Sequence, residues 1–266
     1  MKTVLITGSR GFIGRNLAVH LKRRDDVRLL EYDLDNSEAE LREWVGTAEV
    51  VFHLAGVNRP TQPEEFETGN AGSIEILCQI LREMGRKPQV ILSSSNQAEL
   101  VNPYGVSKRH AEEILQRFAA EAGAPVAIFR LKNVFGKWCR PNYNSVVATF
   151  CYNVAHELPL DIQDPERRLE LVHIDDVVSA FLAELEQPSQ HPDVQVTPDP
   201  IPSYTLTLGD LASRIRGFRE MQHSLHSADL SVRFHQQLYS TYLSYLEPTQ
   251  WEYGLDIKSD ERGSLA

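Results

Sequence analysis

The sequence predicts an α/β fold, a doubly wound parallel sheet of the Rossmann-like kind with a smaller C-terminal lobe, on three observations. An apolar run opens the chain and leads through three glycines into an amphipathic helix. Strand and helix candidates then alternate to about residue 130, the order that produces a parallel sheet covered by helices on both faces. The polar motifs fall where those strands end, which is the edge at which doubly wound sheets bind ligands.

The first strand spans Thr3 to Ile6, a short apolar run of the kind a buried parallel strand requires. Gly8, Gly11 and Gly14 follow at three-residue spacing, and Phe12, Ile13, Leu17, Ala18 and Leu21 recur at helical spacing behind them. The glycines turn the chain, admit a pyrophosphate against bare backbone, and let helix pack on strand. The helix N-terminus supplies N–H donors to the phosphates. Val27 to Glu31 is the second strand, Ser37 to Val45 a short helix that Gly46 is placed to end, and Ala48 to Leu54 the third strand. Asn70 to Met84 reads as a helix with Ile74, Leu77, Ile80 and Leu81 on one face. Gln89 to Leu92 is a strand delivering Ser93, Ser94 and Ser95 at its end. Tyr104 to Ala122 is a long helix, and Pro125 to Arg130 the next strand.

The pattern loosens after Arg130. Val146 to His156 is a helix, preceded by Asn142, Asn144 and Ser145 as possible caps. His173 to Leu185 is another, with Asp175 and Asp176 in its first turn as the helix dipole favours. Five prolines between Pro188 and Pro202 mark a lobe boundary, and Leu206 to Phe218 and Leu238 to Leu246 are helices beyond it. The organisation expected is a dinucleotide-binding domain over residues 1–133, rejoined by 172–187, and a substrate lobe with exit linker over 134–266.

Composition narrows the partners. The 266 residues carry a formal charge of -10 and no basic run, which argues against nucleic acid. No apolar stretch approaches the roughly 20 residues that span a bilayer. Met1-Lys2 leads directly into a strand, so no signal peptide is expected. Cys78, Cys139 and Cys151 are odd in number and form no Cys-x-x-Cys pair, which fits reduced thiols in a cytoplasm. His223-x-x-His226 reads as solvated surface, and no metal site is expected.

The chemistry centres on Asn102-Pro103-Tyr104-Gly105-Val106-Ser107-Lys108. A tyrosine and a lysine four apart on a helix share a face. The lysine charge is expected to draw the phenol pKa down from about 10 toward neutrality. Beside the glycine loop, this pair points to nicotinamide-dependent chemistry at a carbonyl or carbinol.

Five segments together resemble the extended short-chain dehydrogenase/reductases, the NAD-dependent epimerase/dehydratase superfamily acting on nucleotide sugars. They are Thr7-Gly8-Ser9-Arg10-Gly11-Phe12-Ile13-Gly14, His53-Leu54-Ala55-Gly56, Ser93-Ser94-Ser95, Pro103 to Lys108, and Arg130-Leu131-Lys132-Asn133-Val134-Phe135-Gly136. His53-Leu54-Ala55-Gly56-Val57-Asn58-Arg59-Pro60, Phe135 to Ser145 and Leu238 to Leu246 add a narrower, whole-chain resemblance. That likeness is to the bifunctional capsular-polysaccharide reductases of the UDP-N-acetyl-L-fucosamine pathway. The resemblance implies reduction, with NADPH, of the C4 ketone of a UDP-2-acetamido-2,6-dideoxy-hexos-4-ulose to a 6-deoxy-talosamine sugar.

It also implies roles. Tyr104 protonates the carbonyl oxygen, Lys108 holds the nicotinamide ribose, and Ser95, with Ser94 the runner-up, hydrogen-bonds that oxygen. Gly8, Arg10, Gly11, Phe12, Ile13, Gly14, Leu54, Ala55 and Gly56 contact the cofactor together with Tyr104 and Lys108. Asn133 lies near the sugar nucleotide, Lys137, Arg140 and Arg168 are candidates for the diphosphate, and His173 packs. Related dehydratases place an Asp-Glu pair after the serine. Here Asn96 and Gln97 stand there and cannot act as general acid or base. An epimerase holding its NAD, or a non-catalytic dinucleotide-binding regulator, are the alternatives. Arg10 favours NADPH, whereas Glu31, ending the second strand, opposes it. A homodimer through helices 70–84 and 104–122 is implied, functionally linked to an upstream dehydratase. In the resembled family Leu255 to Ser264 leads into a metal-binding cupin that epimerises C3, so the chain is expected to be a reductase domain without that half.

Overall fold

The computed structural model describes residues 1–187, 201–224, 228–251, 258–260 and 262–265. Five parallel strands form the central sheet: β1 (Lys2–Thr7), β2 (Val27–Tyr32), β3 (Val50–His53), β4 (Gln89–Ser95) and β5 (Val126–Leu131), in the order β2-β1-β3-β4-β5. Between them run α1 (Phe12–Leu21), α2 (Glu38–Thr47), a short α3 (Glu64–Phe66), α4 (Ser73–Glu83) and α5 (Pro103–Ala122). The chain goes from β1 to one side for β2, then returns to the other side for β3. The loop after β1 therefore lies at the switch point, where such sheets open a crevice.

The strand pleat divides the core in two. Val4, Ile6, Phe52, Ile91 and Phe129 face α1 together with Phe181 and Val177. Leu5, Val51, Val90, Leu92 and Ile128 face α2, α4 and α5 through Leu41, Leu77 and Leu115. Alternate residues of one strand thus enter opposite layers, as a sheet covered on both faces demands. Helix ends follow local chemistry. Ser37 and Glu40 close a capping box on α2. Asn102 caps α5 with Pro103 at the first helical position, and Gly123 ends it at φ 64°.

Further along stand β6 (Asn133–Phe135), α6 (Val146–Ala155), β7 (Arg168–His173), α7 (Ile174–Glu186), β8 (Tyr204–Thr207), α8 (Leu208–Ser224) and α9 (Arg233–Leu243), with a hairpin of β9 (Lys258–Asp260) and β10 (Gly263–Leu265). β6, β7 and β8 form a second sheet in the order β6-β7-β8. The chain divides into two compact units, residues 1–134 with 170–204, and 135–169 with 205–266. In the second unit α6, α8 and α9 bury Phe150, Cys151, Ile215, Phe218, Leu238 and Tyr242, and the Phe218 ring lies 5.1 Å from that of Tyr239.

Several expectations are corrected. Gly46 does not end α2, which runs to Thr47, because a helical glycine there merely abuts Met84. The helix read from Asn70 is preceded by α3 and a π turn over Glu67–Gly72. Strands β6, β7 and β8 were not expected, and the segment read as an exit linker pairs as β9 and β10, with Glu261 outside the described residues. The proline-rich 188–202 segment lies outside them up to residue 200. Among the described residues no helix is long and apolar enough to cross a membrane, and no cluster of His, Cys, Asp or Glu could hold a metal.

Candidate active site

The glycine loop is built by contacts that forbid side chains. Gly8 sits at φ 70°, and a Cβ on it would lie 2.7 Å from Ala55 N and 2.9 Å from Leu54 C. On Gly14 a Cβ would come within 2.2 Å of Gly8 O, and on Gly11 within 3.1 Å of the same atom. Bare backbone at the first turn of α1 is the cradle a pyrophosphate needs, and the adjoining N–H groups are directed at it by the helix. Gly8, Gly11, Phe12, Ile13 and Gly14 thus fit a dinucleotide, with Leu54, Ala55 and Gly56 forming the neighbouring wall at the end of β3. Leu54 N and Ala55 N donate to Thr7 O and Thr7 Oγ1, at 3.1 and 3.4 Å. His53 bridges Thr7 Oγ1 at 2.9 Å and Ser73 Oγ at 3.1 Å. Because Ser73 Oγ donates onward to Asn70 O, His53 carries its proton on Nε2. Burial, with the Lys108 charge adding to it, pushes His53 down to about 3 and keeps it neutral.

The acid at the edge of this loop is not the expected one. β2 extends to Tyr32, and Glu31 turns to pair with Lys22 at 2.6 Å. Asp33 stands past the strand end instead, where its Oδ2 accepts from Arg10 N at 2.7 Å and its Oδ1 from Leu34 N at 2.9 Å. The Arg10 guanidinium is exposed and pairs with Asp35.

The catalytic candidates converge in the same unit. Asn102 caps α5 by accepting from Gly105 N at 2.8 Å, and this sets the helix phase for Tyr104. Gly105 has no room for a side chain, since a Cβ would meet Gln97 O at 2.1 Å. The Tyr104 hydroxyl faces Ser95, whose side chain favours the charged form of the phenol. Its ring packs 5.6 Å from that of Phe66 and 5.9 Å from Lys108 Nζ. Ser95 Oγ also accepts from Gln97 N at 3.2 Å. Lys108, 8% exposed, donates from Nζ to Ser93 O at 3.2 Å. Burial pushes its ammonium down to about 8, while the Glu112 carboxylate pulls it back up. Tyr104 departs from expectation: burial raises its phenol above the ordinary value, and only the neighbouring Ser95 side chain opposes this. The phenol is therefore protonated at neutral pH, the form that donates a proton.

Two residues join the site that sequence reasoning missed. Asn70 lies buried in the π turn and clamps the loop after β3, accepting from Val57 N at 3.1 Å and donating to Val57 O at 3.0 Å. It also donates to Ser107 Oγ at 3.1 Å. A Cβ on Gly56 would fall 2.6 Å from Asn70 Oδ1 and 3.2 Å from Lys108 Nζ, so that glycine admits the lysine. Glu112 is the second. Ser94, expected as a substrate ligand, instead donates its hydroxyl to Glu112, because the pleat turns it away from Ser95 and under α5.

The substrate candidates are dispersed. Asn133 opens β6 and donates to Glu170 O at 3.1 Å. In the second unit Lys137 Nζ lies 5.7 Å from the Trp138 ring, Arg140 lies 5.3 Å from the Tyr143 ring, and Arg168 is exposed at the start of β7. Ser145 caps α6 by accepting from Ala148 N. His173 is buried and caps α7 by accepting from Asp175 N at 3.3 Å, the structural role expected of it.

Comparison with known proteins gives a consistent picture. The model of the NAD dependent epimerase/dehydratase family matches residues 4–196. The UDP-2-acetamido-2,6-beta-L-arabino-hexul-4-ose reductase of Pseudomonas aeruginosa is 43% identical over 98% of this chain and 70% of its own length. The capsular polysaccharide assembling protein CapF of Staphylococcus aureus superposes with a TM-score of 0.87 at 37% identity, over 98% of this chain and 70% of that one. The UDP-glucuronic acid 4-epimerase of Bacillus cereus, solved with NAD, shares the fold at a TM-score of 0.76 and 17% identity, over 91% of this chain and 98% of that one.

Proposed function

The chain belongs to the NAD dependent epimerase/dehydratase family, and on that premise we propose that it is an NADPH-dependent reductase of a UDP-2-acetamido-2,6-dideoxy-hexos-4-ulose. The product is a UDP-6-deoxy-talosamine sugar for bacterial surface polysaccharide. The observation that carries this reading is Tyr104 facing Ser95 beside a buried Lys108, with Asn96 and Gln97 where a dehydratase needs carboxylates. Its relation to the Pseudomonas reductase supports the substrate class.

The glycine loop and Lys108 would hold a reduced nicotinamide cofactor, which when bound would supply the hydride that C4 needs. Tyr104 gives its hydroxyl proton to the ketone oxygen as charge develops there, and Ser95 holds that oxygen and orients the phenol. Lys108 stabilises the phenolate left behind. Such a placed acid contributes about 10²- to 10⁴-fold. Asn133 lies near the sugar nucleotide, and Lys137, Arg140 and Arg168 take the diphosphate. The reaction places the enzyme after a dehydratase that generates the 4-ketone. We extend the proposal to a cytoplasmic homodimer through α4 and α5, resting on family resemblance and checked by sedimentation. The test of function is loss of absorbance at the NADPH band with the 4-keto sugar made in situ from UDP-N-acetylglucosamine. Sugar epimerised without net NADPH consumption would establish the epimerase reading instead.

Arg10 supports NADPH, since its guanidinium can meet a 2′-phosphate bidentately. Asp33 favours a second reading, NADH, because an acid past β2 suits a free ribose 2′-hydroxyl. The two separate by mutation. Arg10→Ala should lower kcat/KM roughly tenfold with NADPH, the value of about 1.4 kcal/mol, and leave NADH within about twofold. Asp35→Ala, which frees Arg10 of its intramolecular partner, should raise efficiency with NADPH. A preference untouched by either substitution removes Arg10 from cofactor choice.

A further inference from the structure

Behind the Tyr104–Lys108 pair lies a buried charge cluster that the chemistry above does not use. Tyr104, Lys108 and Glu112 are spaced by four along α5 and share one face. Glu112 is 2% exposed and fully engaged. Its Oε1 accepts from Ser94 Oγ and from Arg130 Nε at 3.0 Å, and its Oε2 accepts from Arg130 Nη2 at 2.6 Å. Arg130 reaches further, donating from Nη1 to Glu99 Oε1 at 3.1 Å, on the turn that follows Ser95. Arg109 Nη1 ties α5 to the same turn through Ala98 O at 3.0 Å. Four elements are therefore fastened at one carboxylate: β4 at Ser94, β5 at Arg130, the 96–99 turn through Arg130, and α5 itself.

We propose that Glu112 is a positioning residue for the reaction: with Ser94 and Arg130 it locks α5 against β4 so that Tyr104 meets Ser95, and it supplies the counter-charge one helical turn behind Lys108. The inference rests on the reductase reading for its kinetic consequence, and on the structure alone for its electrostatic one.

The argument is one of compensation. An ammonium buried among β3, β4 and α5 is disfavoured unless a nearby opposite charge persists. The groups facing Lys108 are Tyr104 and Glu112 from its own helix, His53 from β3 and the Ser93 carbonyl from β4. His53 is held neutral and Tyr104 is protonated, which leaves Glu112 as the negative charge among them. Arg130 shares that charge, so it limits how strongly Glu112 acts on Lys108. The two residues must then shift the lysine in opposite directions when neutralised. A merely structural role predicts damage of the same sign from both.

The test compares Glu112→Gln, Glu112→Asp and Arg130→Gln in the full chain. The readouts are the alkaline limb of kcat/KM against pH and the titration of the Lys108 Nζ resonance by 15N NMR, assigned with Lys108→Met. Glu112→Gln should move both toward acid by about one pH unit, a roughly fivefold loss at pH 8 that largely recovers at pH 6.5. Glu112→Asp should restore the wild-type limb, and Arg130→Gln should move it alkaline. A Lys108 titration unmoved in Glu112→Gln, or moved the same way in Arg130→Gln, overturns the proposal. If Glu112→Gln does not fold, the sign of the shift in Arg130→Gln decides alone. Opposite shifts by NMR with no 4-keto sugar reduced would uphold the positioning role and reject the reductase reading.

Discussion

Tyr104→Phe should lower kcat for ketone reduction by 10²-fold or more while leaving dinucleotide affinity within about twofold. The substitution removes one oxygen from a ring that otherwise keeps its packing against Phe66. Ser95 and Lys108 stay where Gln97 N and Ser93 O hold them. What disappears is the proposed proton donor, and a positioned general acid contributes about 10²- to 10⁴-fold. Stopped-flow reduction and a fluorescence titration of NADPH measure the two halves separately. Retention of more than about a tenth of the activity would mean that another group protonates the oxygen. Because burial lifts the phenol above its ordinary value, the wild-type rate should not fall with pH through loss of the Tyr104 proton until well above neutrality. The earlier limb, near pH 8, belongs to Lys108.

The dinucleotide half of the site was legible because its determinants are local. Gly8, Gly11 and Gly14 sit in one turn, and the short apolar runs before them, in β3 and before the serines leave little choice but buried parallel strands. Tyr104 and Lys108 share a helical face by spacing alone. The pattern failed where elements are short or carry conflicting signals. β6 has 3 residues and β8 has 4, too few for a period to show. β7 does alternate, with Leu169 and Leu171 buried and Arg168 and Glu170 exposed, and the acidic start of α7 drew the reading past it. The π turn before α4 has no period of its own either, and Gly69 is there because a Cβ would strike Val57 Cγ2 at 2.4 Å.

The acid at the cofactor edge failed for a different reason. β2 runs one residue further than read, to Tyr32, so the acid that meets the glycine loop is Asp33 past its end, while Glu31 is drawn off to Lys22. The Ser94–Glu112–Arg130 cluster was invisible for a third: its members are 18 residues apart in each step, on three elements that meet only once the sheet is assembled. Ser94 and Ser95 look equivalent in the chain. The pleat gives one to Tyr104 and the other to Glu112.

Lys108→Met should produce an enzyme that is more stable and nearly inactive. The lysine is buried with its ammonium depressed from 10.5 to about 8, chiefly by loss of solvent. At neutral pH that depression corresponds to roughly 3 kcal/mol of strain on the folded state. Methionine fills much the same volume without the charge, and the lost hydrogen bond to Ser93 O returns about 1 kcal/mol of the gain. A net increase of about 1–2 kcal/mol is expected, a rise of a few degrees in Tm for a chain of this size. The sign with pH is fixed by linkage: between pH 8 and 10.5 the unfolded wild-type chain holds more protons than the folded one, so its stability climbs through that window. The variant should lack the climb and converge with wild type above it. Turnover should fall by at least 10²-fold, with weaker dinucleotide binding, because the proposed counter-charge to the phenolate and the proposed ribose contact are removed together. Thermal unfolding at pH 7 and pH 10 checks the first half and the NADPH assay the second. A variant less stable than wild type at pH 7 would show that Lys108 is a structural tether rather than a buried charge kept for chemistry.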